Sequence, residues 1–187
     1  MRDRPTPRCC GRPARSSPKG SRRRSTAAWR ALPHFNPDDD REGEAVHAAV
    51  ASLRTQIGAV DALLLCTPEY AGALPGALKN LLEWTVGDAG THGQPVAWIN
   101  ASGPAAPTGA ADAHASLRKV LGYVGADIVD AACVRIPVTR DAVGPDGTIA
   151  DPAIRGRIED ALTTLVRHVA ERAERQVEGL HARGRRP

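Results

Sequence analysis

The sequence predicts an α/β domain in which a parallel sheet is covered by helices on both faces, a three-layer sandwich. Three observations carry that prediction. From residue 44 onward, stretches with apolar residues at three- and four-residue steps alternate with short apolar runs, in the order helix, strand, helix, strand, helix, strand, helix. The strand-like runs are continuously apolar rather than alternating, as expected for strands covered on both faces. The length of 187 residues suits one domain, so no second core is required.

Each element has its own signature. Ala45, Val46, Ala49, Val50, Leu53 and Ile57 share one face of a first helix, and Asp38, Asp39 and Asp40 lie ahead of it as a solvated acidic entrance. Ala62 to Cys66 is the first strand, ended by Thr67 and Pro68. Pro75 suits the first turn of a second helix, with Ala77, Leu78, Leu81, Leu82 and Thr85 along its apolar stripe. Pro95 to Asn100 is a second buried strand, followed by a Gly/Pro/Ala loop from Ala101 to Gly109. A third helix carries Leu117, Val120, Leu121 and Val124, and strand character returns over Ile128 to Ile136. Asp151 then caps a long last helix that opens at Pro152 and runs through Ile154, Ile158, Leu162, Leu165 and Val169.

Charge divides the chain unevenly. There are 25 Lys plus Arg against 21 Asp plus Glu, a net charge of +4. Residues 1–30 contain ten basic residues and one acid, so the remainder is acidic on balance. The basic average therefore gives no licence for a nucleic-acid-binding domain. No apolar run approaches the roughly 18 residues of a membrane span, and the Arg-rich start lacks a secretory apolar stretch, which predicts a cytoplasmic protein. The six histidines form no His-x-x-x-His pair and no Cys/His cluster, so no metal site is expected; His114 sits at a helix start and His168 reads as a solvated or partly buried helix residue. Cys66 and Cys133 fall in strand-like runs, where small buried core residues are expected.

In an open parallel sheet, ligands bind beyond the carboxyl ends of the strands, which directs attention to the loops after Cys66 and after Asn100. The first of them, from Thr67 to Asn80, is a Pro- and Gly-rich turn into a helix, with Tyr70 available as an aromatic wall. Taken by itself it is equally a tight structural connection. The second, Asn100 to Pro104, is built of small residues, and such loops are usually only loops. Ser102 lacks the Gly-x-Ser-x-Gly context of a hydrolase nucleophile.

The string T-P-E-Y-x-G-x-x-P-G-x-L-K-N-x-L-x-W, from Thr67 to Trp84, together with Leu32-Pro33-His34-Phe35-Asn36-Pro37-Asp38 upstream, resembles the NADPH-dependent FMN reductase family. That family is flavodoxin-like and includes chromate, quinone and azo-dye reductases; the resemblance spans about residues 32–175. It implies that Pro68, Glu69, Tyr70, Ala71 and Gly72 wrap the isoalloxazine ring of FMN, and that Ser102 and Gly103 lie beside the flavin. Many members carry Asn at the position of Ala71, so here only backbone contacts are implied. NADPH or NADH would supply hydride, a small-molecule acceptor (quinone, flavin, azo compound or metal oxyanion) would take the electrons, and the assembly would be a homodimer or homotetramer. Leu78, Leu81 and Trp84 serve either such an interface or the core.

The resemblance fails at the start of the chain. The family places a first central strand and a Gly-Ser-x-Arg-x-x-Ser phosphate loop there. Gly20-Ser21-Arg22-Arg23-Arg24-Ser25 resembles that loop only superficially, with no apolar strand before it. Residues 1–30 read as a disordered basic leader, most economically an out-of-frame translation of a GC-rich gene, followed by the reductase domain over 31–180 and a basic tail over 181–187. The rival expectation is a non-catalytic remnant of the fold that acts by association.

Overall fold

The computed structural model describes residues 22, 24, 26, 28–103, 106–139 and 141–183. The bulk of the leader, the Gly20–Ser25 string apart from Arg22 and Arg24, and the end of the basic tail lie outside the described residues. Among these residues four strands and four α-helices follow the predicted alternation, except that two strands stand where one was expected before the last helix: α1 (Ala48–Gly58), β1 (Leu63–Thr67), α2 (Gly76–Glu83), β2 (Pro95–Ser102), α3 (Ala111–Tyr123), β3 (Asp127–Ile128), β4 (Val134–Pro137) and α4 (Pro152–Arg183).

The pairings between these strands are all parallel, and β2 is their centre. β1 lies along one side in the register Leu63 to Val96 through Thr67 to Asn100. β3 and β4 both pair with β2, β3 at Pro95 and Val96 and β4 from Ile99 to Ser102. The single strand expected over Ile128 to Ile136 is thus two strands separated by a 3-10 turn at Asp130–Ala132. Asp and Ala are poor strand formers, and Ala132 is fully buried in the cluster that contains Leu165 of α4.

Side-chain alternation splits the core in two. Val96 and Trp98 of β2 pack with Leu53 and Ile57 of α1, Leu81 and Leu82 of α2, and Leu117 and Leu121 of α3. Ala97 points to the opposite face, with Val129, Ala132 and Leu165 of α4. Each fully buried Leu removes enough apolar surface from water to contribute about 1.5–3 kcal/mol. The first six residues of β2 are buried, as expected for a doubly covered strand. β1 differs: Leu63, Leu64, Leu65 and Cys66 are only half-buried. It is an edge strand, paired with β2 alone among the described residues, while α4 packs over β2, β4 and the Asp130–Ala132 turn.

Two local expectations change. The helix cap before α1 is His47, whose Nδ1 accepts the Ala49 N–H at 3.2 Å. Asp40 is not a solvated entrance residue: its side chain is 9% exposed and accepts from Arg54 Nη2 at 2.8 Å. Arg54 also donates to the Trp84 carbonyl, so the acidic segment is clamped to the end of α2. As predicted, Asp151 caps α4 by accepting the Ala153 N–H at 2.8 Å. Among the described residues no helix is long and apolar enough to cross a membrane.

Candidate functional site

The upstream and downstream parts of the sequence signature form one structural unit. Asn80 accepts the Phe35 N–H at 2.7 Å and donates its own amide to the Pro33 carbonyl at 2.9 Å. Trp84 Nε1 donates to that same carbonyl at 2.9 Å, and Phe35 meets the Trp84 ring edge-to-face at 5.0 Å. Trp84 is fully buried and Leu81 nearly so. Both therefore belong to the core, and Leu78 packs partly buried against it.

This anchor grips the middle and the C-terminal end of α2, the helix that follows the β1–α2 loop. Tyr70 and Ala73 exchange both backbone hydrogen bonds, at 3.0 and 3.1 Å, around Ala71 and Gly72. Both central residues have positive φ, 51° at Ala71 and 68° at Gly72, as in a type I′ turn. Asn-Gly is the preferred pair for this turn because Asn enters the left-handed region at a lower steric cost than Ala. Tyr70 stands out at the turn, 57% exposed. Pro75 is the cap rather than the first helical residue, its carbonyl accepting from Leu78 and Lys79.

Glu69 has a role that its place in the signature did not reveal. Its carboxylate accepts the Thr108 hydroxyl at Oε1 and the N–H groups of Asp112 and Ala113 at Oε2, both at 3.0 Å. The Thr108 hydrogen bond, with those of Ala113 and Asp112, outweighs burial and holds the Glu69 carboxyl below its usual range. The N-cap of α3 is Ala110, at φ 65°, which has no side-chain oxygen to offer. Glu69 supplies the missing cap from the neighbouring loop, tying the β1 and β2 loops together. The only sequence hint is that Ala-rich start of α3.

Ser102 ends β2 and Gly103 follows it, exposed; a Cβ placed on Gly103 would meet nothing within 4 Å. Asn100, directly beside Thr67 in the sheet, is fully buried, and neither of its side-chain polar atoms has a hydrogen-bond partner among the described residues. The carboxyl end of the sheet thus carries a rigid aromatic-tipped turn, an open shelf of small residues and an uncommitted amide. Those features fit the ring of a flat heteroaromatic cofactor. Among the described residues no phosphate-binding loop accompanies them.

Beside Ser102 and Gly103 lies a cavity of about 400 Å³ whose rim includes Gly109, Arg135, Pro137 and Arg157. The two arginines were not singled out from sequence; neither sits in a recognisable motif. Farther down α3, Trp98 Nε1 donates to His114 Nδ1 at 2.9 Å. Burial, then the charges of Arg118 and Arg135, lower the His114 pKa and favour the neutral acceptor. At the opposite end of the sheet His168 and Arg172 of α4 bind Asp127 of β3, at 2.8 and 3.0 Å. That cluster pins α4 and is remote from the loops.

Comparison with known proteins points to one family of oxidoreductases. The family model described as NADPH-dependent FMN reductase matches residues 26–139. The chain is 34% identical over 119 residues to an NAD(P)H-dependent FMN reductase of Pseudomonas aeruginosa, covering 63% of each chain, so it spans less than two thirds of that relative. It is 29% identical over 144 residues to a 2-hydroxy-1,4-benzoquinone reductase of Burkholderia, covering 75% of this chain and 76% of the relative. Among solved structures it is similar to FerB, a flavoenzyme NAD(P)H:(acceptor) oxidoreductase from Paracoccus denitrificans, with a TM-score of 0.62 and 28% identity over 75% of this chain and 78% of that one. A family match that runs through β1, β2, β4 and both loops at their carboxyl ends makes the chain a member of the NADPH-dependent FMN reductase family.

Proposed function

We propose that the chain is an NAD(P)H-dependent, FMN-type oxidoreductase that delivers electrons to a small acceptor such as a quinone, a flavin, an azo compound or a metal oxyanion. The observation that carries this reading is the Glu69 bridge, which holds the loops after β1 and β2 as one rigid ledge at the carboxyl end of the sheet. Pro68, Glu69, Tyr70, Ala71 and Gly72 form the wall of the ring site, Glu69 through its backbone because its carboxylate is engaged. Ser102 and Gly103 form the shelf, where small size admits a ring and a nicotinamide close to the backbone.

When bound, FMN supplies the hydride and electron chemistry. The chain's own groups orient: the turn at Ala71 and Gly72 is fixed by the Tyr70–Ala73 hydrogen bonds, and Tyr70 shields one side from water. No acid or base of the chain is needed to move a proton. The same reading gives a cytoplasmic homodimer or homotetramer whose working domain is residues 31–180.

A second reading is favoured by one observation: β1 is a half-buried edge strand, and no phosphate loop stands beside it among the described residues. On that reading the chain is a remnant that binds no flavin and acts by association. Titrating the purified full chain with FMN and following flavin fluorescence and the visible spectrum separates the two. Saturable uptake, with NADPH or NADH oxidation on adding a quinone, supports the reductase; absence of uptake at tens of micromolar FMN sinks it.

A further inference from the structure

The two flanks of α4 differ in chemistry. Arg157, His168 and Arg172 reach to one side: Arg157 donates to the Arg135 carbonyl of β4, and His168 and Arg172 bind Asp127 of β3. At 3.6 residues per turn, Val166, Ala170, Ala173 and Val177 fall on the other side, away from β3 and β4. Val166 is half-buried, Ala170 and Ala173 are exposed, and Val177 is 52% exposed. The helix also outruns the sheet. Arg172 donates to the carbonyl of Gly93, just ahead of the start of β2 at Pro95, and α4 continues from there to Arg183.

We propose that two copies of the chain pair antiparallel along this flank of α4, between Val166 and Val177. This pairing is the interface of the homodimer proposed above and rests on that part of the reading.

A two-fold interface must be complementary to itself. The exposed seam meets that requirement: its order Val-Ala-Ala-Val, at steps of four, three and four residues, reads the same in both directions. Steps of four and three are the spacing of a seam through which helices pair. Set antiparallel, Val166 lies against Val177 of the second copy and Ala170 against Ala173. Two valine layers then flank a centre of small side chains, where the helix axes can approach closely.

Charge fits the same register. Arg167, Glu174 and Glu178 are exposed and border the seam on its solvent side. In the antiparallel alignment Arg167 comes level with the stretch between Glu174 and Glu178 of the second copy, and the two-fold repeats that contact at the other end. Within its own helix Arg167 makes only a loose contact, Nε lying 3.8 Å from Glu171. Among the described residues neither Glu174 nor Glu178 has a cation within ion-pair distance.

Sedimentation of the full chain over about 1–200 μM reads the monomer–dimer equilibrium. The expected result is a reversible dimer that weakens about tenfold or more in Val177→Glu, which puts a carboxylate into the apolar seam. Arg167→Glu should weaken it as well, and adding Glu174→Arg and Glu178→Arg to Arg167→Glu should restore pairing by exchanging the charges. Circular dichroism checks that each variant keeps its helix; if Val177→Glu loses helix, the charge exchange decides alone. A dimer indifferent to Val177→Glu with its helix intact, or one that the charge exchange does not restore, overturns this interface and leaves the homodimer standing. A chain that stays monomeric over the whole range overturns both. Flavin uptake is measured separately and is independent of every one of these outcomes.

Discussion

The Glu69 carboxylate accepts the hydroxyl of Thr108 across two different loops, and its other oxygen takes two backbone N–H groups at the start of α3. Glu69→Gln keeps the shape but weakens every one of these bonds by removing the charge. Its expected cost is about 1–2 kcal/mol, the range of a lost helix cap, read as a shift in urea midpoint with unchanged slope. The pH dependence has a definite sign. The folded carboxyl titrates below its usual value, so its stabilisation is complete above pH 4.5 and is lost as pH falls through the lower folded value. Wild type should lose stability over that window more steeply than the Gln variant; parallel acid curves would refute the assignment.

Ala71 sits at φ 51° in a turn that favours Asn-Gly. Ala71→Asn or Ala71→Gly should therefore raise stability, by about 0.5–1 kcal/mol, with the melting temperature as the readout. A fall in both variants would mean that the backbone there is not left-handed.

Trp84 is fully buried, donates to Pro33 and packs on Phe35. Trp84→Ala should cost about 3–5 kcal/mol and Asn80→Ala about 1–3 kcal/mol, each measured by chemical denaturation. Hydrogen exchange should show the segment around Pro33 to Phe35 released in both variants while β2 stays protected. If that segment remained protected, the anchor would not depend on these side chains.

Cys133 is half-buried with its thiol near the Val129 carbonyl, and burial pushes its pKa up to about 11. Because the thiolate is the reactive form, Cys133 should resist iodoacetamide at pH 8 in the native protein and react normally in urea. Peptide mass mapping reads each cysteine separately; native labelling at Cys133 comparable to that in urea would contradict the burial.

Much of the architecture was legible because hydrophobic periodicity is local. The apolar faces of α1 and α2, the continuous run of β2 and the Asp151-Pro152 start of α4 all appear at their predicted places within a few residues. The run from Ile128 to Ile136 misled because β-like composition does not report which segment reaches its neighbour: only its ends pair with β2. That β1 pairs with β2 alone among the described residues was also hidden, since Leu63 to Cys66 read the same whether one or two edges are paired. At the candidate site, the Pro- and Gly-rich stretch after β1 forms the tight turn expected of it, with positive φ at Ala71 and Gly72. The function of Glu69 could not be anticipated, because its partners lie about forty residues away.

By itself the sequence determined the alternating α/β order and the parallel sheet, because both follow from patterns spanning fewer than about 20 residues. The family match opens at residue 26, a few residues ahead of Leu32 and inside the stretch assigned to the basic leader. Only the tertiary structure decided that Glu69 caps a distant helix, that Asp40 is clamped by Arg54, and that Arg157 of α4 reaches the main-chain carbonyl of Arg135 in β4. The physical reason is common to all three. A charge or donor finds its partner through the packing of separate elements, and no spacing along the chain encodes that distance.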